Sequence, residues 1–192
     1  MKRTNILPYV EGALVIAMSV VLSMIRIYKL PWGGSVTLLS MLPLVVYSNR
    51  YGLKRGLTVA FLFSVFQFFQ GISDGIFAWG LSPVMLVGCI LFDYILAYTA
   101  IGLSGAFRKR GVYGWVSGTI IALLLRFGCH FMSGVVIFHS AGKLWDGFST
   151  DNTMLYSFLY NGSYMLPEII FTCIGAVVIL KVPAIQKIIK AK

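Results

Sequence analysis

The chain has 192 residues, 58% of them hydrophobic and 11% charged, with a mean hydropathy of +0.86. That is too apolar for a water-soluble domain and too short for a large multidomain machine, so the sequence reads as an all-α, polytopic membrane protein forming a single membrane-embedded domain over residues 1–192. The net charge of +10 does not argue for nucleic acid, because the placement of Lys and Arg follows membrane topology instead.

Apolar windows of about 20 residues, enough to cross a hydrocarbon core of about 30 Å, predict six spans. They lie at roughly 8–29, 36–49, 56–71, 82–106, 114–139 and 153–181. The first runs too long for a cleaved signal peptide, and no small-residue cleavage site follows it. Within it, Glu11 lies near the inner end, within reach of the interface by snorkelling, and Ala13 and Ala17 stand four residues apart. The second span is short, which suits a tilted, re-entrant or sheltered helix.

With both termini inside, the cytoplasmic segments carry Lys2, Arg3, Arg50, Lys54, Arg55, Arg108, Lys109, Arg110, Lys181, Lys187, Lys190 and Lys192. The outer segments carry only Arg26, Lys29 and Lys143. This asymmetry predicts cytoplasmic ends, and the basic patches read as topology signals in contact with anionic membrane lipid. The outer connections "KLPWGGS", "GISDGIFAWGLSP" and "SAGKLWDGFSTDN" each pair Trp with Gly. Trp at that depth is an interfacial belt residue or a flap over a pocket mouth.

Cys89, Cys129 and Cys173 sit singly in apolar spans without CxxC spacing and read as packing residues. There is no GxxxxGK[ST] loop, no GxGxxG and no HExxH. ATP hydrolysis by the usual phosphate loop is thereby excluded for this chain alone. Nothing points to a metal, a cofactor or a catalytic residue.

Ionisable groups in the bilayer cost at least about 2.5–3.5 kcal/mol each, so each needs a partner, a cavity or a function. Counting about 1.5 Å per residue from the outer ends puts His130 and Asn161 about 12–14 Å deep, Asp93 about 18 Å, and Arg126 and Glu168 about 20–22 Å. The matched depths predict a structural ion pair between Arg126 and Glu168, with Asp93 as a competing partner for Arg126.

The shallower residues fall together with aromatics. His130 and Gly134 are four apart, Phe127, Phe131 and Phe138 follow on the adjoining face, and Gly134 is expected to open room beside the imidazole. Tyr156, Tyr160 and Tyr164 recur every four residues beside Asn161 and Ser163, and "LFDYILAYTA" supplies Asp93 with Tyr94. Taken singly these residues are interhelical glue and packing. Taken together they predict a pocket for a small polar aromatic ligand near the outer face. Three buried carboxylates, Glu11, Asp93 and Glu168, against Arg126 favour a cation, which Phe138 and the Tyr rings can face with their π surfaces.

In "RFGCHFMSGVVIF", "LYSFLYNGSYMLPE", "FDYILAYTAIGLSG" and "GGSVTLLSMLP" the chain closely resembles the thiamine-binding S components, the ThiT or YuaJ family, of energy-coupling factor (ECF) vitamin importers. The likeness covers nearly the whole chain in order. It implies a six-transmembrane-helix bundle of the ECF S-component type in a prokaryotic plasma membrane, binding thiamine near the outer face. Carried over by motif position, Asp93 with Tyr94 supplies the acidic group, while His130 and Asn161 make polar contacts. Tyr156 adds a hydrogen bond, Phe138 stacks, Gly134 allows close approach, and Trp32 is the lid aromatic. Some relatives carry Trp at the position of Phe138 and Glu at that of Asp93. The resemblance also implies docking through Ala13 and Ala17 on a membrane scaffold protein that works with two cytoplasmic ATPases.

Other readings of the same residues are an S component for a different vitamin or precursor, and a proton-coupled carrier relaying through Asp93, Arg126, His130 and Glu168. A serine enzyme using Ser133 or Ser104 with His130 lacks an oxyanion-hole or nucleophile-elbow signature.

Overall fold

The structure is a computed structural model, described here for residues 6–183; the basic residues Lys2, Arg3, Lys187, Lys190 and Lys192 lie outside that range. Most of it is helix. α1 (Leu7–Met24) starts with Pro8 in its first turn, where a missing N–H costs nothing. The chain then leaves the helix for a hairpin, β1 (Arg26–Lys29) against β2 (Ser35–Thr37), with Arg26 opposite Thr37 and Lys29 opposite Ser35. A tight turn, Pro31–Gly33, joins the strands, and Gly33 takes the left-handed φ of 94° that the turn requires.

This hairpin corrects the first two spans expected from hydropathy, which ran to residue 29 and resumed at 36. Ile25, Ile27 and Tyr28 extend the apolar window, but β-branched and aromatic residues ahead of a Pro-Trp-Gly-Gly turn favour a strand. What remains of the second span is α2 (Leu42–Tyr51), ten residues long. At about 15 Å it reaches only half of a hydrocarbon core, and it is largely buried by its neighbours.

α3 (Leu53–Ser73) follows across Gly52. The next helical run, here called α4, changes geometry along its length. It is α-helical over Pro83–Cys89, π-helical over Ile90–Leu96, α-helical again over Ala97–Thr99, and 3₁₀ over Ala100–Arg110. Ser82 caps it by accepting a hydrogen bond from the Met85 amide at 3.3 Å. Gly111, at a φ of 64°, turns the chain directly into α5 (Gly111–Val136). A second hairpin, β3 (Gly142–Trp145) with β4 (Phe148–Thr150), leads to α6 (Thr153–Lys181), capped by Asn152. Leu7–Met24, Leu53–Ser73, Pro83–Val136 (which Gly111 folds in two) and Thr153–Lys181 are long and apolar enough to cross a membrane.

The core joins α2, α3, α4, α5 and α6 around Val45, Phe63, Ile101, Leu123 and Met165. α3 and α4 approach to backbone distance where Gly102 meets Gly56. A Cβ on Gly102 would lie 2.6 Å from the Leu57 nitrogen, so small residues let these helices touch. Arg108 Nη1 donates to the Arg50 carbonyl at 2.9 Å, which brings the α2–α3 and α4–α5 elbows together at one end of the bundle. The connections 25–41, 74–82 and 137–152 gather at the other.

Candidate ligand-binding site

A cavity of about 510 Å³ opens at that second end. Residues from all three connections and from α4, α5 and α6 line it, including Gly34, Trp79, His139, Asp93, His130 and Tyr160. Such a volume suits a small organic ligand.

The chemistry is concentrated at Asp93. His130 Nδ1 lies 2.8 Å from Asp93 Oδ1, and Ser133 Oγ donates to Asp93 Oδ2. Ser133 therefore serves the carboxylate rather than the imidazole, which is not the arrangement of a serine nucleophile activated by histidine. The imidazole is nearly buried and held edge-on between the rings of Tyr98 and Tyr164, at centroid distances of 6.4 and 6.0 Å.

Asp93 stands in the π-helical stretch of α4. There the i→i+5 winding swings residues five apart toward one face, so Asp93, Tyr94 and Tyr98 all reach the cavity wall. Such local π segments recur at functional sites because they re-aim side chains without ending the helix. Tyr94 also packs edge-on against Phe68 at 5.8 Å and covers Gly71 of α3. Phe138 lines the cavity edge-on to Trp79, with ring centroids 6.0 Å apart.

On α6, Tyr156 and Tyr160 stack at 6.3 Å with planes 16° apart. Tyr156 lines the cavity, and among the described residues its hydroxyl makes no hydrogen bond. Tyr160 OH meets the first hairpin, accepting from the Gly34 amide at 3.2 Å and donating to the Pro31 carbonyl. The Asn161 carboxamide is engaged within the protein. Its Nδ2 donates to the Ser157 carbonyl at 2.9 Å and faces Ser157 Oγ and the His130 carbonyl, while Oδ1 accepts from Tyr164 OH at 2.7 Å.

The structure therefore brings together Asp93, Tyr94, His130, Gly134, Phe138, Tyr156 and Asn161 around one space. Trp32 lies in the Pro31–Gly33 turn of the hairpin beside that space, and its side chain is outside the described residues. Ala13 and Ala17 are exposed on α1, on the face away from the bundle.

Two expectations are corrected. Gly134 was expected to open room beside His130; it makes room for α6 instead, since a Cβ there would fall 2.3 Å from Ser157 Oγ. Arg126 and Glu168 are both buried but do not pair. Arg126 donates to Met41 Sδ at 2.8 Å and Tyr98 OH at 3.1 Å, with its guanidinium 4.4 Å from the Tyr98 ring centroid. Glu168 Oε1 accepts from Thr37 N and Oγ1 at 2.5 and 2.7 Å. Equal depth does not fix rotation about the helix axis, and the hairpin supplies β2 donors that no count along helices anticipates.

The sequence reading passed over Asp74 and Tyr98 and took Trp79 only as one of three Gly-paired tryptophans in the outer connections. Asp74 forms a bidentate pair with Arg26 at 2.9 and 2.6 Å and a second bond with Lys29 at 3.0 Å, fastening the hairpin to α3. The Gly-flanked Trp79 carried a usable signal in "FAWGLS". Tyr98 did not, because its position depends on the π turn.

A family model for the thiamine transporter protein family (Thia_YuaJ) matches residues 9–189. Thiamine transporter ThiT of Bacillus subtilis (strain 168) is 35% identical over 181 residues, covering 86% of this chain and 85% of that protein. The solved structure of ThiT from Listeria monocytogenes shares the fold, with a TM-score of 0.72 at 22% identity, over 97% of this chain and 99% of that one. On a family match that runs almost end to end, the chain belongs to the thiamine transporter family.

Proposed function

We propose that the chain is the substrate-binding S subunit of an ECF-type importer in a prokaryotic plasma membrane, taking thiamine from the outside and delivering it for ATP-driven uptake. The observation that carries this reading is the aromatic cavity with one carboxylate, Asp93, in its wall. Thiamine pairs an aminopyrimidine with a cationic thiazolium. The Asp93–His130 pair suits the amino-substituted ring, with the Tyr156 hydroxyl as a further hydrogen-bonding group. The rings of Phe138, Trp79 and Tyr160 suit the cation, and desolvation in a closed cavity strengthens their attraction for it.

Charge supports the same guest. The half-buried Asp93 and the buried Glu168 oppose the buried Arg126, so one positive ligand brings the sum to zero. In this reading the bundle crosses the membrane six times with both termini in the cytoplasm, and α2 is the short, sheltered crossing. The basic elbows then face the cytoplasm and the cavity faces out. The hairpin with Trp32 is the lid, and the exposed Ala13 and Ala17 let the scaffold protein approach α1 closely. The two ATPases supply the energy.

The test is a thiamine titration of the detergent-solubilised protein followed by Trp fluorescence, in competition with the pyrimidine half alone and with riboflavin. Thiamine is expected to bind tightest, and His130→Ala to weaken it about tenfold or more by removing the imidazole that orients Asp93 in the cavity wall. Tighter binding of riboflavin would assign the cavity to another vitamin.

A further inference from the structure

The first hairpin is fixed along its strands and lightly held at its tip. Leu30 and Val36 are buried in the core. Asp74 binds Arg26 and Lys29, and Glu168 binds the Thr37 amide and hydroxyl, so each strand has a charged partner. Among the described residues, the hydrogen bonds that tie the Pro31–Gly34 tip to the bundle come from one neutral hydroxyl. Tyr160 OH accepts from the Gly34 amide and donates to the Pro31 carbonyl.

That tip is also a wall of the main cavity, lined by Gly33, Gly34 and Ser35. It bridges two aromatic residues of the same wall: Tyr160 on α6, and Trp79, whose ring would lie 3.6 Å from a Cβ on Gly33. Tyr160 in turn stacks on Tyr156, so the residue that holds the tip belongs to the surface that meets a ligand. Gly34 is fitted to the same contact. Its φ of −57° is open to any residue, yet a Cβ there would fall 2.8 Å from the Tyr164 ring and 3.0 Å from Tyr160 OH. The Tyr164 ring is buried and its hydroxyl is bonded to Asn161 at 2.7 Å, so an added methyl displaces the tip rather than the ring.

We infer that Tyr160 is the positioning residue of the tip: its hydroxyl sets how often Pro31–Gly34 parts from α6, and with it the rate at which a ligand enters and leaves the cavity. The consequence for ligand exchange rests on the thiamine reading above; the docking of the tip does not. Two neutral hydrogen bonds break far more readily than the charged anchors of the strands, so the tip moves and the strands serve as its hinge.

Two measurements on the full-length protein separate this inference from the assignment of the ligand. Hydrogen exchange is followed without thiamine at the Leu30 amide, which bonds to the Gly34 carbonyl across the tip at 2.6 Å. A short hairpin has little stability of its own. Tyr160→Phe, which keeps the ring stacked on Tyr156, and Gly34→Ala are each expected to speed this exchange about tenfold. Unchanged exchange in both variants overturns the latch whatever the cavity binds. Stopped-flow Trp fluorescence then follows thiamine. Both variants are expected to associate and dissociate about tenfold faster than wild type, because a lost ligand contact can speed dissociation but not association. Rates equal to wild type, or faster dissociation alone, overturn the gating role.

Discussion

Both oxygens of Asp93 are taken within the protein, one by His130 and one by Ser133, so an incoming amino group must use the lone pairs that remain. The carboxylate is thus oriented before any ligand arrives, which lowers the ordering cost of binding. Phe138 acts differently, offering only a ring face. Phe138→Ala is expected to weaken thiamine about five- to thirtyfold, the range of a partly desolvated cation–π contact, and to affect the neutral pyrimidine half much less. Equal losses for both ligands would mean the ring serves only as packing. Gly134 belongs to the α5–α6 contact. Gly134→Ala should cost about 1–3 kcal/mol by overpacking against Ser157. Thermal unfolding measures this, and adding Ser157→Gly should recover most of the loss.

The first hairpin is the element on which sequence and structure part. Hydropathy joins Ile25, Ile27 and Tyr28 to the neighbouring helices, because a transfer scale cannot tell a strand from a helix of the same composition. The hairpin is held to α6 by Tyr160 and to α3 by Asp74. Asp74 accepts two bonds from Arg26, which holds its carboxyl below the ordinary carboxylate range against the opposing effect of partial burial, and Lys29 lowers it further. The same contact raises Arg26.

A carboxyl whose pKa is depressed on folding contributes stability that is complete above its unfolded value of about 4 and is lost as pH falls through the lower folded value. The clamp should therefore be fully formed at neutral pH and release only in acid. Asp74→Asn should reproduce that release at neutral pH, lowering hairpin stability by about 1 kcal/mol. Hydrogen exchange of the 26–37 amides reads it as faster exchange, and unchanged protection in Asp74→Asn would show that Tyr160 and Glu168 hold the hairpin alone. The π-helical stretch of α4 was illegible for a related reason: it packs on both α3 and α5, and no local sequence pattern encodes its winding.

At the scale of the molecule, the long apolar runs and the segregation of Lys and Arg made the membrane class and the chain order of the helices legible. Asp93, His130 and Asn161 could be grouped from approximate depth together with the Tyr, Phe and Gly residues spaced around them, because all three lie in helices that the apolar windows located. The Arg126–Glu168 pair failed because rotation about an axis is a tertiary property. Without a phosphate loop in the chain, purified protein in liposomes is expected to accumulate no thiamine under a pH gradient. Accumulation there would favour an autonomous proton-coupled carrier. The central claim is that Asp93 is the counter-charge for a cationic vitamin in this cavity, and calorimetric titration of wild type and Asp93→Asn with thiamine tests it most directly. The account predicts saturable one-to-one binding to wild type and a loss of about 2–5 kcal/mol in Asp93→Asn; equal affinity in the two proteins would contradict it.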